Sequence, residues 1–177
     1  MGEDWYPGDT LLASIGQSYN LFTPMQLASY AATIAADGTR YSAHLLKSVK
    51  TYDNSVTTYS YEPTVLSRVE ADQSYFDAIK LGMYYVSKYG SPSGVFGSYR
   101  IDVASKTGTV QLGDEKQNNA VFIAYAPYEA PEIAVAVVVQ GGGSGAYVTQ
   151  IARDVFDYWF SAKEEDSSIS TENTLLK

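Results

Sequence analysis

The chain has 177 residues, 45% of them hydrophobic and 18% charged, so it can bury a substantial core and is not a wholly disordered polypeptide. Twenty acids against twelve bases give a formal charge of −8, and no basic stripe is present of the kind that displaces counterions from a nucleic acid. The absence of cysteine excludes disulfides and thiolate metal sites, and a single histidine, His44, excludes a histidine-rich metal site and argues against a Ser-His-Asp triad.

Trp5-Tyr6-Pro7-Gly8-Asp9-Thr10 has turn chemistry, with Pro fixing φ and Gly releasing it. Thr23-Pro24-Met25-Gln26 predicts a helix start: Thr23 caps, Pro24 suits the first helical position and Gln26 stands three residues after the cap. Leu27, Ala31, Ile34 and Ala35 recur at helical spacing until Asp37-Gly38 ends the run. Tyr41 to Tyr52 and Thr57 to Glu62 read as two strands around an Asp53-Asn54-Ser55 turn, with His44 in a structural role. A second helix is expected from about Asp72 to Lys88, with Phe76, Ile79, Met83 and Val86 on one face. The loop Gly90-Ser91-Pro92-Ser93-Gly94 leads to a strand over Ile101–Val110.

Gln111 to Asn119 reads as a polar loop, and its Asp114-Glu115 pair as solvated rather than catalytic. Ala120 to Ala126 and Ile133 to Gln140 are expected to complete an antiparallel meander. The stretch Ile133–Val139 has no polar alternation and should be covered on both faces; it is also the longest apolar run, and too short to span a bilayer. Met1-Gly2 reads as an added start rather than the head of a leader. Gly141-Gly142-Gly143-Ser144-Gly145 opens a last helix with an apolar stripe of Val148, Ile151, Ala152, Val155, Phe156 and Trp159. One domain over residues 1–162 and an acidic, disordered tail over 163–177 are therefore expected, with no internal repeat.

The strand over 101–110 contains Lys106-Thr107-Gly108-Thr109, and a Lys-Thr-Gly strand is a signature of the penicillin-interacting serine enzymes. Together with Trp5–Thr10, Ile15-Gly16-Gln17, Thr23-Pro24-Met25-Gln26-Leu27-Ala28 and Asn119–Pro127, it resembles the C-terminal part of the transpeptidase domain of class B penicillin-binding proteins. The likeness is strongest to their elongation-type members, and runs in order from about Trp5 to Phe160. Two departures matter. No serine in the chain has a lysine three positions later, so the Ser-x-x-Lys nucleophile motif is absent from it. Ser18-Tyr19-Asn20 spells the second motif but lies after the Gly-Asp-Thr element, where the family places its own well before; it is read as a coincidence. Ser105 also stands where a glycine is usual, a change a strand should tolerate.

The resemblance implies an α+β fold, an antiparallel sheet with packed helices that is part of the serine β-lactamase/D,D-transpeptidase-like architecture. It implies acyl transfer: a serine attacks a terminal D-Ala-D-Ala peptide of a peptidoglycan stem, releases D-Ala and passes the acyl group to an amine, and β-lactams are trapped on the same serine. By resemblance the Thr109 amide is the second oxyanion donor. Lys106 supplies positive charge and proton traffic and bonds the serine of the absent Ser-x-Asn motif. The Thr107 and Thr109 hydroxyls hold the ligand carboxylate, and Gly108 leaves room for an approaching backbone. No cofactor or metal is implied. The expected partners are the stem peptide, β-lactams, the missing N-terminal half of the domain, and a second copy through the exposed edge of strand 133–140. The expected location is the extracytoplasmic face of the bacterial membrane, with the anchor outside this segment, and the chain alone should not be acylated. Two other readings remain open: a non-catalytic β-lactam sensor, and a phosphate or dinucleotide binder built on Gly141–Gly145.

Overall fold

The computed structural model describes residues 4–17, 20–112 and 117–169, with side chains through 163. Helix α1 (Pro7–Ser14) begins where a turn was expected. Pro7 takes the first helical position, where its missing N–H costs nothing, and the Tyr6 amide donates to Asp9 Oδ2 at 2.9 Å. Helix α2 (Pro24–Ala35) starts as the sequence indicates, in a reciprocal capping box: Gln26 N donates to Thr23 Oγ1 and Thr23 N to Gln26 Oε1. Of the Ser18-Tyr19-Asn20 string, the first two residues lie outside the described residues, as do Asp114-Glu115.

The segment from 39 to 68 departs most from expectation. Instead of one long strand from Tyr41, there are two short ones, β1 (Thr39–Tyr41) and β2 (Ser48–Lys50). The chain between them is irregular, and His44 there stacks on Tyr61 with ring centroids 3.3 Å apart, a structural role. Strand β2 pairs with β3 (Thr57–Ser60), and β1 with the unanticipated β4 (Val65–Arg68), each with a register irregularity. Neither ribbon buries a face, so no clean alternation marks them in the sequence.

The core is a three-stranded antiparallel sheet in the order β5 (Ala104–Val110), β6 (Asn119–Ala126), β7 (Ile133–Val139). The expected meander and the α+β class hold. On one face, Ala104, Ile123, Tyr125, Ala134 and Ala136 pack with Ala31 and Ile34 of α2 and Met83 of α3 (Gln73–Tyr89). On the other, Ala120, Phe122, Ala124, Ala126 and Val137 pack with Phe96 of the short helix α4 (Ser93–Phe96) and with α5 (Thr149–Ile169). Helix α4 occupies part of the expected loop, with Pro92 buried beside it.

Three further expectations are corrected. Ile79 is exposed: Met83 carries α3 into the sheet's core, while Phe76 is buried against Gly38 beyond the end of α2. Val148, which ends the 3-10 turn before α5, begins a buried row that continues along α5 as Ala152, Phe156 and Phe160, while Ile151, Val155 and Trp159 form a second row, one position away, that stays exposed. Strand β7 is only half-buried, with Val138 39% exposed, because it ends the sheet. Helix α5 also continues through 163–169, where a disordered tail was expected; residues 170–177 lie outside the described residues.

Candidate functional site

Strand β5 is the other end of the sheet, so its outer backbone groups have no strand partner. Its register with β6 pairs Lys106 with Ile123, Thr107 with Phe122, Gly108 with Val121 and Thr109 with Ala120. Opposed residues share a face, so Lys106 and Gly108 lie on the α2–α3 side while Thr107 and Thr109 lie on the α5 side. The two sets meet only along the free edge. An extended ligand laid in the plane of the sheet would therefore have the ammonium on one side and the hydroxyls on the other.

Two contacts from α3 fix how this edge is presented. Ser87 Oγ and Ser105 Oγ are 2.7 Å apart and both fully buried, pinning the start of β5. Lys88 forms a 2.8 Å ion pair with Asp102, which raises the Lys88 pKa, and also donates to the Gly97 carbonyl. One helical turn beyond Ser87, Ser91 Oγ stands 3.5 Å from Thr107 Oγ1, so the α3–α4 junction forms a wall beside the open edge. These serines were not picked out as site residues, since their partners are distant in sequence. The Ser105 hydroxyl thus fills a buried polar partnership.

Lys106 is exposed, donates at 2.6 Å to the adjacent Thr107 carbonyl, and has no carboxylate partner among the described residues. A Cβ on Gly108 would meet Val121 Cβ at 3.3 Å, on the α2–α3 side. No cluster of three His, Cys, Asp or Glu able to hold a metal occurs among the described residues.

The Gly141–Gly145 run does not form a phosphate cradle. The Gly141 amide donates to Asn119 Oδ1 at 3.0 Å and the Gly143 amide to the Asn118 carbonyl at 2.9 Å, so these donors are occupied. The adjoining cavity of about 420 Å³ is lined, among the described residues, by Gln117, Asn118, Gly141, Gly142, Gly143 and Tyr147, none of them a cation. A larger groove of about 740 Å³ lies away from β5, between α1, α2 and the β1–β4 ribbon, and Arg40 is the charged residue in its lining. Its polar lining includes Ser14, Asn20, Gln26, Ser29 and Thr33, but among the described residues no Lys, His or carboxylate that could act as a base.

The chain matches the penicillin binding protein transpeptidase domain over residues 1–157. It is 32% identical to penicillin-binding protein 2A of Bacillus subtilis, over 90% of this chain and 25% of that protein. It is 30% identical to the peptidoglycan D,D-transpeptidase MrdA of Escherichia coli, over 87% of this chain and 26% of that protein. The structure is similar to the imipenem acyl-enzyme complex of penicillin-binding protein A from M. tuberculosis, with a TM-score of 0.71 and 31% identity, covering 82% of this chain and 32% of the other. The chain thus spans about a quarter of the length of the curated relatives it matches.

Proposed function

The chain belongs to the penicillin-binding protein transpeptidase domain family, and on that premise we propose that residues 1–162 form the C-terminal portion of a peptidoglycan D,D-transpeptidase domain. In this reading β5 is the strand along which a D-Ala-D-Ala stem peptide or a β-lactam is laid. The observation that carries it is the free edge of β5, bearing Lys106 on one side and Thr107 and Thr109 on the other. One similar protein is an imipenem acyl-enzyme, which supports the β-lactam arm.

The chemistry divides between this chain and a serine it does not contain. The serine oxygen bonds to the penultimate D-Ala carbonyl carbon, and the bond to the terminal D-Ala nitrogen breaks with protonation of that nitrogen. An amine of a second stem peptide then displaces the serine. The Thr109 amide would donate to the developing oxyanion, and the Thr107 and Thr109 hydroxyls would bond the ligand carboxylate. Among the described residues Lys106 has no ion pair to break before it faces that carboxylate and the nucleophile's proton path. No cofactor takes part. The place of action is the extracytoplasmic face of the membrane, where the stem peptides are; among the described residues no helix is long and apolar enough to cross it. The other exposed edge, β7, is the surface for the remaining part of the domain or for a second copy.

The test is labelling with a fluorescent penicillin, read by mass spectrometry. The chain alone gives no adduct. Complemented by a Ser-x-x-Lys-bearing N-terminal portion of a transpeptidase domain, it supports an adduct on that serine, and Lys106→Ala lowers the yield at least tenfold. An adduct on the chain alone, or a complemented adduct indifferent to Lys106, would sink the assignment.

A further inference from the structure

The Gly-rich turn that forms no phosphate cradle ends on Gly145, which is buried and opens a single 3-10 turn, Gly145–Val148. A Cβ built on Gly145 would lie 2.6 Å from the Gly108 carbonyl oxygen and 2.9 Å from the Gly108 amide nitrogen, and closer still to the Val121 carbonyl oxygen. All three are backbone atoms of the β5–β6 pair, so the crowding cannot be relieved by a side-chain rotation. Gly145 thus seats directly on the peptide units of Gly108, in the middle of Lys106–Thr109.

The turn is held at both ends. Upstream, Gly141 and Gly143 are bonded to Asn119 and Asn118. Downstream, Ser144 Oγ accepts from the Ala146 amide, Val148 is in the core, and the buried Thr149 donates to the Ala146 carbonyl at 2.9 Å. A methyl at 145 therefore presses on the β5–β6 backbone at Val121 and Gly108, with little slack in the turn to absorb it. Gly142 provides a contrast within the same turn. A Cβ there would meet Val139 Cβ at 2.9 Å and Ala120 Cβ at 3.0 Å, which are side chains of β7 and β6, not of β5.

We infer that Gly145 is a positioning residue for the Lys-Thr-Gly strand: its bare Cα fixes the Gly108 backbone and so sets where the Thr109 amide and the Thr107 and Thr109 hydroxyls stand. The catalytic consequence rests on the reading of β5 as the ligand strand; the mechanical one does not.

The experiment compares Gly145→Ala with Gly142→Ala in the whole chain by amide NMR shifts and hydrogen exchange. Gly145→Ala moves the Gly108, Thr109 and Val121 resonances and speeds exchange at Gly108–Val110 at least tenfold; Gly142→Ala moves Val139 and Ala120 and reaches β5 only through Thr109, the register partner of Ala120, with less than a threefold change in exchange there. Unmoved β5 amides in Gly145→Ala, or equal disturbance of β5 by both variants, would overturn the inference. Should Gly145→Ala fail to fold, exchange in the unaltered chain decides: residues 108–110 and 145–148 open together if the inference holds, and independently if it does not. In the complemented domain, Gly145→Ala lowers the β-lactam acylation rate constant at least tenfold while the non-covalent affinity changes less than threefold. Absence of acylation in the unaltered complemented domain would count against the proposed function alone, since the exchange comparison still judges Gly145.

Discussion

Replacing Ser105 with Ala probes how the candidate strand is anchored. The Ser87 and Ser105 hydroxyls, both fully buried, bond only to each other among the described contacts. Removing one strands the other without a partner or solvent, a penalty of about 1–3 kcal/mol. Removing both deletes the pair together with its desolvation cost, so Ser87→Ala/Ser105→Ala should lose less than the two single losses added. The four proteins form a double-mutant cycle, measured by urea unfolding, with a coupling energy of about 1 kcal/mol or more expected. Strictly additive losses, or a neutral Ser105→Ala, would mean that the hydroxyl pair does not tie α3 to β5. Ser105→Gly should lose more than Ser105→Ala, because it adds backbone freedom within a strand.

The buried Tyr125 phenol oxygen has no hydrogen-bond partner among the described residues, and burial pushes its pKa well above the usual phenol value. Tyr125→Phe should therefore be neutral or stabilising by up to about 1 kcal/mol, and a clear fall in the melting temperature would show a hidden partner. Phe156, fully buried between α5 and the sheet, should cost about 3–5 kcal/mol on truncation to Ala, read as a lower urea midpoint. Burial, and then the hydrogen bond to Asp157, push the Tyr99 pKa up to about 12. Because the folded value is raised, its contribution to stability is complete below pH 10 and is lost as the pH rises from 10 towards about 12. Unfolding midpoints across that window should fall more steeply for the unaltered chain than for Tyr99→Phe.

Local signals that act over three or four residues were readable. Thr23, Pro24 and Gln26 define the start of α2 without help from the rest of the chain, and the apolar runs of β6 and β7 with short joints define the meander. The start of α1 was misread because Pro7 suits a turn and a first helical position equally well, and Asp9 decides between them only by bonding back to Tyr6. On α5 two adjacent apolar rows satisfy the same helical period, and only the position of Phe96 and Phe122 selects Val148, Ala152, Phe156 and Phe160 for burial. The site divides similarly. Lys106, Thr107, Gly108 and Thr109 are visible as a string, and β5 is an edge strand as that reading needs. The supports of the string, Ser87 behind Ser105 and Gly145 against Gly108, come from elements far away in the chain and only tertiary packing brings them together.

The edge of β5 as the ligand strand is tested most directly by a hydrogen-exchange footprint of the complemented domain, with and without a bound β-lactam. Slowed exchange concentrated in 104–110, and weakened by Lys106→Ala, is the expected result. Unchanged exchange there, with slowing instead around the groove of α1, α2 and Arg40, would contradict it.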